Sequence, residues 1–276
     1  MKSAAPWQLL DGPLGTELYR RGVRTELPLW SAGAIADAPE AISAVHADYA
    51  AAGATIHTTN TFRTQERTVG SRWVEWTKRA VKLCRDAVPR THRVAGSIAP
   101  LEDCYRPDLS PPDALKEHRA MAEILAKEGC DLLLCETFPH PGEALAAVRA
   151  AIETGTETWL SLTAGPEGDL LSPNEVYETA LRAADLGAST VLINCTALGS
   201  TGPFVEALAR TGLPFGAYAN AGHPDEEIGW NSATPNVDAY AAEARRWIEA
   251  GASVIGGCCG TSPVHTAALR ALVSGP

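Results

Sequence analysis

The stretch Ala184-Asp-Leu-Gly-Ala-Ser-Thr190 decides how this chain is read. A helical segment running into a glycine, where a left-handed backbone costs little, and then directly into β-branched residues describes a short joint from helix to strand. The pattern recurs in Ala50-Ala-Ala-Gly-Ala-Thr-Ile56, Ala126-Lys-Glu-Gly-Cys-Asp-Leu132 and Glu249-Ala-Gly-Ala-Ser-Val254. Repeated joints of this kind imply strands alternating with helices.

Outward from the joints, the preceding segments carry helical periodicity, clearest where Val237, Tyr240, Ala241, Ala244, Trp247 and Ile248 fall on one face. Helix starts are marked as well. Ser172-Pro-Asn-Glu175 combines an N-cap, a first-turn proline and a capping-box glutamate, and Ser262-Pro263 repeats the first two elements. Between the helices lie short apolar runs at 7–10, 55–59, 93–98, 131–135, 158–163, 190–194, 214–219 and 253–255. Continuous apolar runs suit parallel strands buried on both faces. Eight of them, alternating with helices over this length, predict an α/β fold built as a (β/α)8 TIM barrel rather than an open doubly wound sheet. No G-x-G-x-x-G follows an early strand, which weighs against dinucleotide binding.

The proline-rich 107–112 and the polar 222–236 read as long loops after strands, so residues 1–276 are taken as one domain. At 45% hydrophobic and 20% charged residues the chain is globular, and its net charge of -10 argues against nucleic acid as a partner. The start, Met1-Lys-Ser-Ala-Ala-Pro-Trp-Gln-Leu-Leu10, lacks the apolar core of a signal peptide, and no apolar run is long enough to span a bilayer. A cytoplasmic location without membrane association is therefore expected. Oligomeric state is left open.

In such a barrel the chemistry sits where strands end. Those positions read Asp11, Thr59-Asn60, Ser97, Glu136, Thr163, Asn194-Cys195, Asn220 and Cys258-Cys259. Seven scattered cysteines do not make a disulfide framework, and adjacent cysteines are poorly placed to bridge each other. Three thiols thus converge on one rim from the sixth and eighth strands. With an open fourth position they would form a zinc site of catalytic type; in the competing reading Cys195 is a small packed hydrophobe and only the vicinal pair is unusual. Cys84 shares a helical face with Trp73, Trp76 and Ala80 and reads as core, Cys130 and Cys135 bracket a strand, and Cys104 lies in a loop near the rim. A three-thiolate zinc is a weak Lewis acid, better suited to holding a substrate thiol deprotonated than to making hydroxide. Thiol alkylation is the expected chemistry.

Asp11-Gly-Pro-Leu-Gly-Thr-Glu-Leu18, Thr58-Thr-Asn-Thr-Phe62, Ile193-Asn-Cys195 and Gly256-Gly-Cys-Cys-Gly260 together resemble the zinc-dependent homocysteine S-methyltransferase family over essentially the whole chain. The resemblance implies a (β/α)8 barrel, Zn²⁺ held by Cys195, Cys258 and Cys259, and binding of the substrate ammonium group by Asp11 and Glu136. Asn60, Ser97 and Asn220 are further candidates for the substrate pocket, or else braces for the rim loops. The implied reaction moves a methyl group from a small donor of the S-methylmethionine, S-adenosylmethionine or betaine type to homocysteine, giving methionine. Its partners are accordingly a small-molecule thiol acceptor and a methyl donor.

The chain departs from the family pattern at Pro13, at Ala99-Pro-Leu-Glu-Asp-Cys-Tyr105 and at Ala219-Asn-Ala-Gly222. These loops border the donor side, so the donor stays open. Trp230, Tyr105 and Glu102 are loop residues suited to a cationic donor. Three alternatives stand beside this reading: the same zinc chemistry on another small thiol or a selenol, a zinc hydrolase, and a non-catalytic protein stapled by zinc. A hydrolase is disfavoured by the thiolate-rich ligands and the lack of a rim histidine, since His57 falls in a strand, His223 in a loop and His265 at a helix start.

Overall fold

A computed structural model describes residues 7–221 and 236–274. His223, Trp230 and nearly all of the loop expected over 222–236 lie outside the described residues. Eight strands, β1 (Gln8–Leu9), β2 (Ile56–Thr58), β3 (Arg93–Ile98), β4 (Leu132–Phe138), β5 (Thr158–Leu162), β6 (Thr190–Ala197), β7 (Phe215–Asn220) and β8 (Val254–Ile255), form one sheet. They pair in parallel in sequence order, β8 returns to β1, and a parallel bridge from Leu10 to Ile56 joins the two ends. The chain is a (β/α)8 TIM barrel.

The joints form as their sequence dictates. Gly53, Gly129, Gly187 and Gly251 take left-handed φ values of 107°, 81°, 115° and 103°, which a side chain rarely adopts. At Ser172 the capping box is complete, because its hydroxyl accepts from Glu175 N while the Glu175 carboxylate accepts from Ser172 N. The helix Val237–Glu249 buries Tyr240, Ala244 and Trp247 of the expected face, and Trp76, Ala80 and Cys84 are buried on the helix Trp73–Ala87. Among the described residues no helix is long and apolar enough to cross a membrane.

Strand alternation separates two layers of core. Leu10, Ile56, Ala95, Leu132, Leu134, Trp159, Leu192, Tyr218 and Val254 fill the barrel interior. Leu133, Cys135, Leu160, Val191 and Ile193 face outward, packed with the helices in the main apolar cluster. Two strands run three residues further than their apolar runs predict, and β7 one residue further. β4 continues to Phe138 and β6 to Ala197, each with a register shift before its end. Polar residues there stay in the sheet because side chains supply the missing hydrogen bonds, and both extensions open onto the same end of the barrel.

Candidate active site

The shifts in β4 and β6 leave Thr137 and Cys195 with positive φ, 64° and 50°, a conformation non-glycine residues adopt at a cost of about 1–3 kcal/mol. Asn194 holds both. Its Oδ1 accepts from Thr137 N at 3.1 Å and from Ser161 Oγ at 2.8 Å, while its Nδ2 donates to Thr137 Oγ1 at 2.8 Å. One buried amide therefore ties β4, β5 and β6 together between Glu136 and Cys195. Sequence reasoning placed Asn194 on the rim without this role, since nothing local marks a bulge that lacks glycine.

Cys258 and Cys259 arrive on a loop fixed from two sides. Cys258 N donates to Ala219 O and Ala221 N to Cys259 O, at 2.9 and 2.8 Å. A Cβ at Gly260 would overlap the Ala221 carbonyl, so the loop needs glycine for this approach. From the other side Arg20, at the end of the helix Leu14–Arg20, donates to Thr261 O and Gly260 O at 2.8 Å each and to Glu17 at 2.6 Å. The Sγ atoms of Cys195, Cys258 and Cys259 consequently lie within 4.8 Å of one another. Hydrogen bonds from the Cys195 and Cys259 thiols hold Cys258 well below the ordinary thiol range, and Cys195, by its hydrogen bond to Cys258, is pushed up. Tetrahedral zinc with bonds of about 2.3 Å spaces its sulfurs by roughly 3.8 Å. The three soft donors fit such an ion, and no fourth His, Cys, Asp or Glu joins the group among the described residues.

These thiols border a cavity of about 330 Å³ that Asp11, Asn60 and Glu136 also line. Glu136 accepts from Ser97 Oγ at 2.5 Å and from Tyr218 OH at 3.1 Å. Burial pushes it up to about 7, against the opposing bond from Ser97. Asp11 accepts from Thr58 N at 3.0 Å and is likewise raised well above the usual carboxylate range by burial. His46 Nδ1 and His57 Nδ1 stand behind it, each 3.9 Å from Asp11 Oδ2.

The remaining expected residues divide. Asn60 lines the cavity and donates to Ser31 O at 2.9 Å. Ser97 is fully buried and reaches the cavity only through Glu136. Asn220 closes β7, also fully buried, and its amide has no hydrogen-bond partner among the described residues. Cys104 and Tyr105 line the cavity, whereas Glu102 pairs with Arg67. Cys84, Cys130 and Cys135 belong to the apolar core. Phe62, from the Thr58-Thr-Asn-Thr-Phe62 motif, also lines the cavity, as do Trp30, Arg63 and Tyr218, which escaped sequence reasoning. A Cβ at Gly15 would strike the Trp30 indole, so that glycine leaves room for it, a pairing that only the fold brings together.

Similar proteins are found by sequence and by fold. A sequence model described as homocysteine S-methyltransferase matches residues 8–273. The homocysteine S-methyltransferase YbgG of Bacillus subtilis is 32% identical, over 96% of this chain and 94% of its own. The S-methylmethionine–homocysteine S-methyltransferase BHMT2 of Pongo abelii is 29% identical over 94% of this chain and 76% of its own. The metallated form of the Escherichia coli homocysteine methyltransferase MmuM superposes with a TM-score of 0.81 at 29% identity, covering 98% of this chain and 96% of that one. With a family model matched over residues 8–273 and a relative 32% identical over 96% of its length, this chain belongs to the homocysteine S-methyltransferase family.

Proposed function

We propose that the protein transfers a methyl group from a small sulfonium or quaternary ammonium donor to homocysteine, with zinc held by Cys195, Cys258 and Cys259. The observation that carries this reading is the opening of three clustered thiols and two buried carboxylates onto one cavity. When bound, zinc holds the acceptor sulfur as a thiolate at neutral pH. Asp11 and Glu136 take the ammonium group of homocysteine, and pairing with that cation favours the ionised carboxylates that burial alone opposes. Ser97 and Tyr218 orient Glu136, so the amino acid is held at a fixed angle to the thiol cluster. The sulfur lone pair forms the new bond to the methyl carbon as the carbon–onium bond breaks, and its electron pair leaves with the donor, now less positive by one charge. Alignment of the three atoms is the main contribution asked of the barrel.

Zinc-loaded protein incubated with homocysteine and S-methylmethionine, S-adenosylmethionine or betaine should yield methionine by mass spectrometry with at least one donor. Cys258→Ala should lose metal and turnover together. Stoichiometric zinc retained by that variant would overturn the ligand set, and zinc-loaded wild type inert toward homocysteine with every donor would shift the reading to another thiol or selenol.

A further inference from the structure

The cavity is graded in depth and charge. Cys195, Cys259, Asp11 and Glu136 form its floor, each no more than 8% exposed. Trp30, Phe62, Arg63 and Tyr105 form a half-buried outer ring. Arg63 is the only lysine or arginine among the described lining residues. Its Nη1 donates to the Glu102 carbonyl at 2.9 Å and its guanidinium stands 5.3 Å from the Phe62 ring centre, so the group is held in place. Its Nε is buried without a partner, and no carboxylate among the described residues lies within 4.0 Å of it. A guanidinium anchored on the wall of a ligand cavity, with Nε unpaired among the described residues, is suited to a planar anion.

Homocysteine already has partners on the floor, its sulfur at the thiols and its ammonium at the carboxylates. Its carboxylate and the donor are left to the outer ring. A donor presenting only an onium cation would meet the aromatic faces favourably but would be repelled by Arg63. A zwitterionic donor avoids this conflict, because its carboxylate pairs with Arg63 while its methyl points inward. We infer that Arg63 selects methyl donors that carry a carboxylate, and that it contacts the donor rather than homocysteine. The inference rests on the proposed transfer to homocysteine.

The test compares S-methylmethionine with its carboxamide, which keeps the sulfonium and loses the anion. In wild type the carboxylate form should be favoured at least 30-fold in kcat/KM. In Arg63→Gln the ratio should collapse to within about threefold, through a higher KM for the carboxylate donor and little change in the KM for homocysteine. Arg63→Lys, which keeps the charge without the fork, should retain most of the preference. An undiminished ratio in Arg63→Gln, or an effect confined to the homocysteine KM, overturns the inference. Calorimetric binding of S-methylmethionine reads the same contact without turnover, so a failure of methyl transfer is distinguishable: equal affinity in wild type and Arg63→Gln, or no binding to either, overturns the role of Arg63.

Discussion

At the scale of single residues, the thiol cluster depends on a side chain that never touches it. Arg20 reaches Gly260 across 240 positions of sequence and fixes the loop that carries two of the three sulfurs. Groups that hold ligands in place typically contribute 10–100-fold to metal affinity. Arg20→Met keeps the stem and removes the hydrogen bonds. It should weaken zinc binding about tenfold or more in a chelator competition while lowering the thermal midpoint by only a few degrees, and an unchanged zinc affinity would show that the glycines alone set the loop. Cys258 and Cys259 were legible because adjacent cysteines among glycines are conspicuous within seven residues. Arg20 was not, since an arginine ending a helix is ordinary until the barrel brings β1 beside β8.

Among elements, the same contrast separates the joints from the bulges. Each αβ joint is encoded within a few residues by a glycine whose backbone must be left-handed, and all four quoted stretches fold as read. The ends of β4 and β6 are instead encoded by a partner more than fifty positions away, so their expected limits at 135 and 194 fell three residues short of Phe138 and Ala197. Asn194 supplies hydrogen bonds to Thr137 and Ser161 where the ladder slips. Asn194→Ala would leave a buried backbone N–H and two hydroxyls short of partners, each costing about 1–3 kcal/mol before relaxation. Urea unfolding should show a loss of about 2–4 kcal/mol. Because the bulges aim both Glu136 and Cys195, zinc affinity and the KM for homocysteine should worsen together in any folded fraction; a stable variant with both unaltered would mean the strands bulge without Asn194.

For the whole molecule, the buried group behind Asp11 links the site to global stability. His46 is fully buried with neither ring nitrogen hydrogen-bonded among the described residues, and burial lowers it to about 4. His57, which meets His92 at 3.0 Å, is lowered in the same sense to about 3, first by burial and then by its histidine neighbours. Above the ordinary histidine value of 6.5, folded and unfolded states both keep His46 neutral and it exerts no pull. As pH falls from 6.5 toward 4, the unfolded chain takes a proton that the folded chain refuses, and stability drains at about 1.4 kcal/mol per pH unit. Glu136, raised to about 7, acts in the opposite direction over much of that range, because the folded state then holds a proton the unfolded state has lost. The wild-type pH profile alone therefore mixes these opposing pulls, to which His57 and Asp11 add theirs, and a difference between proteins isolates His46. His46→Leu forfeits no hydrogen bond among the described residues and should differ from wild type by no more than about 1 kcal/mol at pH 7. At pH 5 it should have gained about 2 kcal/mol relative to wild type, read from paired urea titrations. Parallel stability curves across that interval would mean that His46 is protonated inside the fold, with the Asp11 carboxylate 3.9 Å away to hold the charge.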